Sequence, residues 1–259
     1  MAVSGTLSAA LRSWLCWRMV KIYGMAHLTR LLISTLAIGL GRVFFVPSLN
    51  WALTDEKVEA FESVINSALG NASMKPITYH CSYPKWEFLQ YCVERKDIIL
   101  HGSNRRGIGI FEPREQVDYS GKRVMAVFGT MDSIWAIFFA VLNKSAYRGS
   151  LRNACWIVEK SHSRQERFCF FSLNREALNR EAWTDGVVYL MPKETFSPGS
   201  QECIRFDEWL SHEPVRALAQ LEVSPDDFPM IKKVSGHREG ESMIFTWLAY
   251  KWRIRGHES

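Results

Sequence analysis

Ile98-Ile99-Leu100-His101-Gly102-Ser103 is a short apolar run that ends in a histidine, a glycine and a hydroxyl residue. Hydrophobic residues up to a polar tip describe a buried strand that surfaces at its C-terminal end. Gly102 has no Cβ, so a ligand can approach the backbone closely there, flanked by His101 and Ser103. The same pattern fits an ordinary strand-to-turn exit, so its meaning depends on partners elsewhere in the chain.

Working outward, Asn104-Arg105-Arg106-Gly107-Ile108-Gly109 is a basic, turn-rich loop whose glycine spacing is neither a dinucleotide fingerprint nor a P-loop. Val124 to Thr130 is a second buried strand, again ending in small and polar residues. Asp132 or Ser133 caps a helix from Ile134 to Asn143 that is apolar nearly all round, as in a helix buried on most sides. Further strands are expected near Ala154–Val158, Phe168–Phe171, Val187–Met191 and Gln201–Phe206. Val215 to Val223 alternates cleanly, which places Val215, Ala217, Ala219, Leu221 and Val223 on one side. Met243 to Ile254 fits either helix or strand. Upstream, Thr54 caps a helix over 54–69 that Gly70-Asn71 end, and Pro84 opens a second helix to about Arg95. Strands outnumber helices after residue 98, at intervals often too short for helical crossovers. The fold class is therefore α+β, with a mixed, largely antiparallel sheet and an N-terminal helical prelude.

Charge is concentrated at one end. Residues 1–50 carry Arg12, Arg18, Lys21, Arg30 and Arg42 and no acid, which accounts for the whole net charge of +5. From Trp51 onward acids and bases balance, which argues against a basic nucleic-acid-binding surface. The apolar run Leu31–Leu40 is about half the length of a membrane span. This segment reads as a targeting peptide, a weak membrane anchor, a loosely attached apolar helix, or a stretch preceding a true start at Met19 or Met25. The organisation is then a basic apolar segment over 1–50, a helical prelude over 51–97 and the main domain over 98–259. The cysteines Cys16, Cys81, Cys92, Cys155, Cys169 and Cys203 show neither C-x-x-C nor zinc spacing, so no metal is expected. They read as reduced thiols of a cytoplasmic protein.

Three segments stand in order: Ile99-Leu100-His101-Gly102-Ser103; Val127-Phe128-Gly129-Thr130 with Phe138-Phe139 following; and Gln201-Glu202-Cys203-Ile204-Arg205-Phe206-Asp207. Together they resemble the ADP-ribosyltransferase superfamily, on its diphtheria-toxin and poly(ADP-ribose) polymerase side. The resemblance covers about 100–225 and consists of short motifs. It implies a split sheet and NAD as the substrate. His101 would hydrogen-bond an NAD ribose hydroxyl, the Gly102 backbone would hold the nicotinamide carboxamide, and Ser103 would support that end. Phe128 stands where the family usually has Tyr, keeping the aromatic face and losing the hydroxyl; Thr130 closes the same strand. Phe138 or Phe139 would stack on the nicotinamide ring. Glu202 would bind the ribose and stabilise the oxocarbenium-like transition state, with Glu208 or Glu194 as substitutes. The chemistry is consistent, because a fixed carboxylate gains most where positive charge develops. The implied activity is transfer of ADP-ribose from NAD to a protein or nucleic-acid acceptor. The alternatives are an inactive NAD- or ADP-ribose-binding domain and an NAD-dependent RNA 2′-phosphotransferase-like enzyme.

Overall fold

The computed structural model describes residues 29, 31–69, 74–118, 120–145, 149–161, 164–178, 182–200 and 202–255. Arg12, Cys16, Arg18, Met19, Lys21, Met25, Arg30, Gly70-Asn71 and Gln201 lie outside them. The chain opens with helix α1 (31–44), strand β1 (Val46–Pro47), α2 (Asp55–Leu69), β2 (Lys75–Pro76), α3 (Lys85–Arg95) and β3 (Ile98–Ser103). Then come β4 (Ile110–Phe111), β5 (Arg114–Val117), β6 (Arg123–Gly129), α4 (Ser133–Val141), β7 (Leu151–Ser161), β8 (Arg164–Asn174) and β9 (Gly186–Pro192). The last part holds β10 (Ser197–Pro198), β11 (Ile204–Phe206), β12 (Trp209–Ser211), β13 (Val215–Arg216), β14 (Ala219–Val223), β15 (Ser235–His237) and α5 (Met243–Arg255).

The architecture is α+β, with largely antiparallel sheets. One sheet runs β2-β14-β9-β3, a second β10-β12-β6-β5, and a third β1-β8-β7-β11 with β15 also on β8. The parallel pairs are β14 with β2 and β15 with β8. Val215, Ala217, Ala219, Leu221 and Val223 are all buried, with Gln220 buried beside them, but the strand is broken in two. Ala217 N–H bonds Gly109 and Leu218 N–H bonds Leu190, so the chain changes partners there.

Helix α4 sits in the middle of the molecule. Asp132 is its N-cap, with a side-chain oxygen accepting from Trp135 N–H at 2.8 Å. One side of α4 lies on β3 and β9 at backbone contact. A Cβ at Gly102 would meet the Ala136 carbonyl oxygen at 2.0 Å, and one at Gly186 the Ala140 carbonyl oxygen at 1.9 Å. The missing side chain of Gly102 thus admits the helix backbone. Beyond it, Phe138 packs on Phe171 of β8 at 4.6 Å, which joins α4 to the third sheet.

Residues 31–47 are part of the packed body. β1 pairs with β8, Ser34 donates to the Glu159 carbonyl at 2.7 Å, and Gly41 lies against the Phe168 ring. Met243–Arg255 is a helix; its two apolar faces explain why periodicity alone left it open. The described cysteines are free, with Cys92, Cys155 and Cys169 buried. Among the described residues, no helix is long and apolar enough to cross a membrane.

Candidate functional site

β3 and β6 meet at one place. Leu100 and Thr130 exchange both backbone hydrogen bonds, at 2.9 and 3.0 Å. In an antiparallel ladder, residues two apart direct their backbone groups to the same side. The N–H and C=O of Gly102, and those of Phe128, therefore face the gap into which the two strands open beyond that bridge. His101 reaches across this gap, its Nδ1 lying 2.7 Å from the Phe128 carbonyl oxygen. A carbonyl only accepts, so Nδ1 carries the proton and Nε2 is left as an acceptor.

A cavity of about 660 Å³ opens over this gap, within the usual range for ligand sites. His101, Gly102, Phe128, Thr130 and Phe139 all line it, so five of the residues singled out in the sequence come together. Ser103, Phe138 and Glu202 do not line it. Ser103 instead accepts a hydrogen bond from Arg105 N–H at 3.1 Å. Phe138 is wholly buried among Phe171, Trp183 and Phe228, so of the pair it is Phe139, one position on, that reaches the cavity. Glu202 is exposed, on a bend before β11. Glu194 is exposed on a 3-10 turn and is also absent from the wall.

The acid at the cavity is Glu208, half-buried immediately before β12. β12 pairs with β6, with Trp209 opposite Gly129 and Leu210 opposite Phe128. That pairing carries Glu208 to the end of β6 where the gap opens. Glu208 also lines a second cavity of about 350 Å³, so it stands between two openings. The residue next to it anchors it. Asp207 is buried, takes Arg167 at 2.6 Å, and accepts from Trp209 Nε1 at 3.1 Å and from Thr130 Oγ1 at 3.3 Å. The Thr130 hydroxyl is thus committed to the framework; it also accepts from Asp132 N–H at 3.0 Å. Burial pushes the Asp132 carboxyl up. Burial also disfavours the charge on Arg167, but Asp207 and Asp132 beside it prevail and hold the guanidinium above its ordinary value.

Sequence reasoning named Glu208 as a substitute acid but missed Trp135, Lys144, Met243 and Trp247 at this wall. Trp135 and Phe139 lie one turn apart on α4 with rings 5.8 Å apart, and Trp135 Nε1 donates to Asn153 at 2.7 Å. The four-residue spacing of the two aromatics was a usable signal, hidden because the whole helix is apolar. Lys144 lies 5.2 Å over the Phe139 ring. Asn104 fixes this corner, donating to the Ala140 carbonyl at 2.6 Å and accepting from Lys144 N–H at 3.1 Å. Arg105 and Arg106 do not line the cavity, and Arg106 pairs with Glu222 at 3.0 Å. Among the described residues, Asp132, Cys155 and Cys169 place ligand atoms within 4.8 Å of one another, but Arg167 lies 3.6 Å from Asp132 and its positive charge disfavours a cation there.

Burial lowers His101 to about 4, which keeps its ring neutral in neutral solution. Burial also lowers His237 to about 4; its Nε2 lies 2.6 Å from Ser150 Oγ and its Nδ1 2.8 Å from Ser172 Oγ. A histidine whose folded pKa is depressed binds its proton first in the unfolded chain. Stability is therefore full above an unfolded value of about 6.5 and falls as the pH drops through the window down to the folded value. Urea unfolding at pH 7.5 and 4.5 should show a loss of up to about 3 kcal/mol per histidine. His237→Gln should remove its share; an equal acid loss in that variant would sink the assignment.

No protein-family model matches the chain, and neither a curated protein nor a solved structure does.

Proposed function

We propose that the chain is an NAD-dependent ADP-ribosyltransferase, with NAD held in the 660 Å³ cavity. The observation that carries this reading is the convergence of His101, Gly102, Phe139 and Glu208 on one gap between two strands. Each group has a chemical task there. The backbone N–H and C=O of Gly102 match the two hydrogen-bonding groups of a carboxamide. Phe139 and Trp135 give the nicotinamide ring an aromatic wall. The neutral His101 accepts from a ribose hydroxyl through Nε2. Lys144 supplies positive charge for the pyrophosphate.

The bond that breaks joins the ribose C1′ to the nicotinamide nitrogen. Its electron pair stays on that nitrogen and cancels the pyridinium charge, while positive charge develops on the ribose. A carboxylate fixed beside the ribose is worth more at that moment than before it, and Glu208 fills this role. The acceptor's nucleophile then forms the new bond at C1′, giving up its proton to solvent as it does so, and enters from the 350 Å³ cavity on the other side of Glu208. The RNA 2′-phosphotransferase alternative is less well supported, because Arg105 and Arg106 lie off the cavity wall.

Phe128 favours one second reading, an NAD-binding domain that does not turn over, because it lacks the hydroxyl the family usually presents there. Calorimetry with NAD and chromatographic detection of nicotinamide separate the two. Saturable heat with nicotinamide release is expected. Heat without release supports the second reading, and no binding at millimolar NAD overturns both.

A further inference from the structure

We propose that α1 and α5 together form a face that docks on an anionic lipid surface. Both helices pack on the same outer side of the β7–β8 sheet. On β8, Cys169, Phe171 and Leu173 point into the main core, while Phe168 and Phe170 point the other way. α1 covers Phe168 with Ala37, Ile38 and Gly41, and α5 covers Phe170 with Tyr250, their rings 4.8 Å apart. Phe45, just after α1, touches both Phe170 and Trp247 of α5, which makes the two helices neighbours.

Having covered the sheet, each helix turns a second apolar stripe outward. On α1 it is Leu32, Leu36, Leu40 and Val43, with Leu32 71% and Leu36 66% exposed. On α5 it is Ile244, Leu248 and Trp252, with Ile244 68% and Trp252 77% exposed. Both spacings follow the helical repeat, so each is a continuous stripe and not a scatter of surface residues. Contiguous exposed apolar area of this kind marks an interaction face.

Charge selects the occupant. The acid-free stretch 1–50 leads into this face with its five bases, and α5 has no acid between Met243 and Arg255 while carrying Lys251, Arg253 and Arg255. Among the described bases, Arg253 is paired with Glu241 and Arg42 with Glu166, while Lys251 and Arg255 keep the α5 end of this face basic. A symmetric pairing with a second copy would set this basic edge against itself. An anionic bilayer complements it, takes up the apolar stripes in its interfacial zone, and accommodates Trp252 at headgroup depth. Over the described residues neither helix is long and apolar enough to span, so both would lie in the plane of the surface.

The test is co-sedimentation of the full chain with vesicles of phosphatidylcholine alone and with one third phosphatidylserine. Binding to the anionic vesicles is expected to be at least roughly tenfold stronger, and to weaken with added salt. Leu36→Asp with Leu248→Asp should lower it by about tenfold or more, with the circular-dichroism melt unchanged. Should that double variant melt early, Trp252→Gln carries the same expectation at roughly fivefold. No binding to either vesicle, equal binding to both, or variants that pellet like the wild type would overturn the proposal. So would a wild-type dimer in sedimentation velocity that the variants dissolve, which would assign the face to a second copy. None of these readouts involves NAD, so the outcome is independent of the activity proposed above.

Discussion

Glu208→Gln is expected to lower nicotinamide release from NAD by on the order of 100- to 1000-fold while leaving NAD affinity within about threefold of wild type. The change removes the negative charge and keeps the shape and much of the hydrogen bonding. What is lost is stabilisation that exists mainly when the ribose is cationic, so the loss should fall on turnover and not on binding. Glu202→Gln is the control. Its side chain is exposed on the bend before β11 and away from the cavity, and its variant should turn over as the wild type does. Single-turnover release and calorimetric titration of both proteins decide the matter. A Glu202→Gln variant that loses activity beside a Glu208→Gln variant that keeps it would reverse the assignment of the acid.

The two acids show where a sequence stops being readable. Residues 201–207 have the shape of a strand entered by a glutamate, and β11 does run from Ile204 to Phe206. But β11 joins β7, in the sheet covered by α1 and α5. The strand that reaches the gap is the next one, three residues long, and only its pairing with Phe128 and Gly129 distinguishes it. Partner choice between two adjacent short strands is a long-range fact that local pattern does not carry. β3 was legible for the opposite reason: it is buried from Ile98 to Leu100 and half-exposed at His101. Its polarity gradient is local. α4 lies between these cases. Its burial could be read from composition, whereas the assignment of Phe139 to the cavity and Phe138 to the core follows from Gly102 and Gly186, which bring one side of the helix onto two strands. α1 and α5 resisted reading because each is apolar on two sides, which leaves periodicity without a single face to report.

Arg167→Met should cost about 3–5 kcal/mol of stability at neutral pH, the cost of breaking a buried ion pair from one side. Arg167 lies 2.6 Å from Asp207 and 3.6 Å from Asp132, and the two carboxylate side chains are 1% and 3% exposed. Methionine fills much of the volume but leaves two buried acids with no counter-charge. The Asp132 carboxyl, already pushed up by burial, should then rise further without the guanidinium that opposes the shift. Stability contributed by a raised group is fully present below the unfolded value and is lost as the pH climbs through the folded one, so the deficit should be largest at pH 7 and shrink toward pH 4. Adding Asp207→Asn should recover part of the loss, since one of the stranded charges is gone. Urea unfolding of the three proteins at both pH values measures this; a deficit under about 1 kcal/mol, or one independent of pH, would show that the cluster does not act as a charge-balanced unit. The same substitution reaches the chemistry. Asp207 is held by Arg167, Trp209 and Thr130 together, and Glu208 is the next residue. Asp207 is a positioning residue, so loosening it should move the carboxylate relative to the His101 gap. Turnover by the folded fraction of Arg167→Met should fall more than NAD affinity does, and conservative Arg167→Lys should restore part of the turnover together with part of the stability.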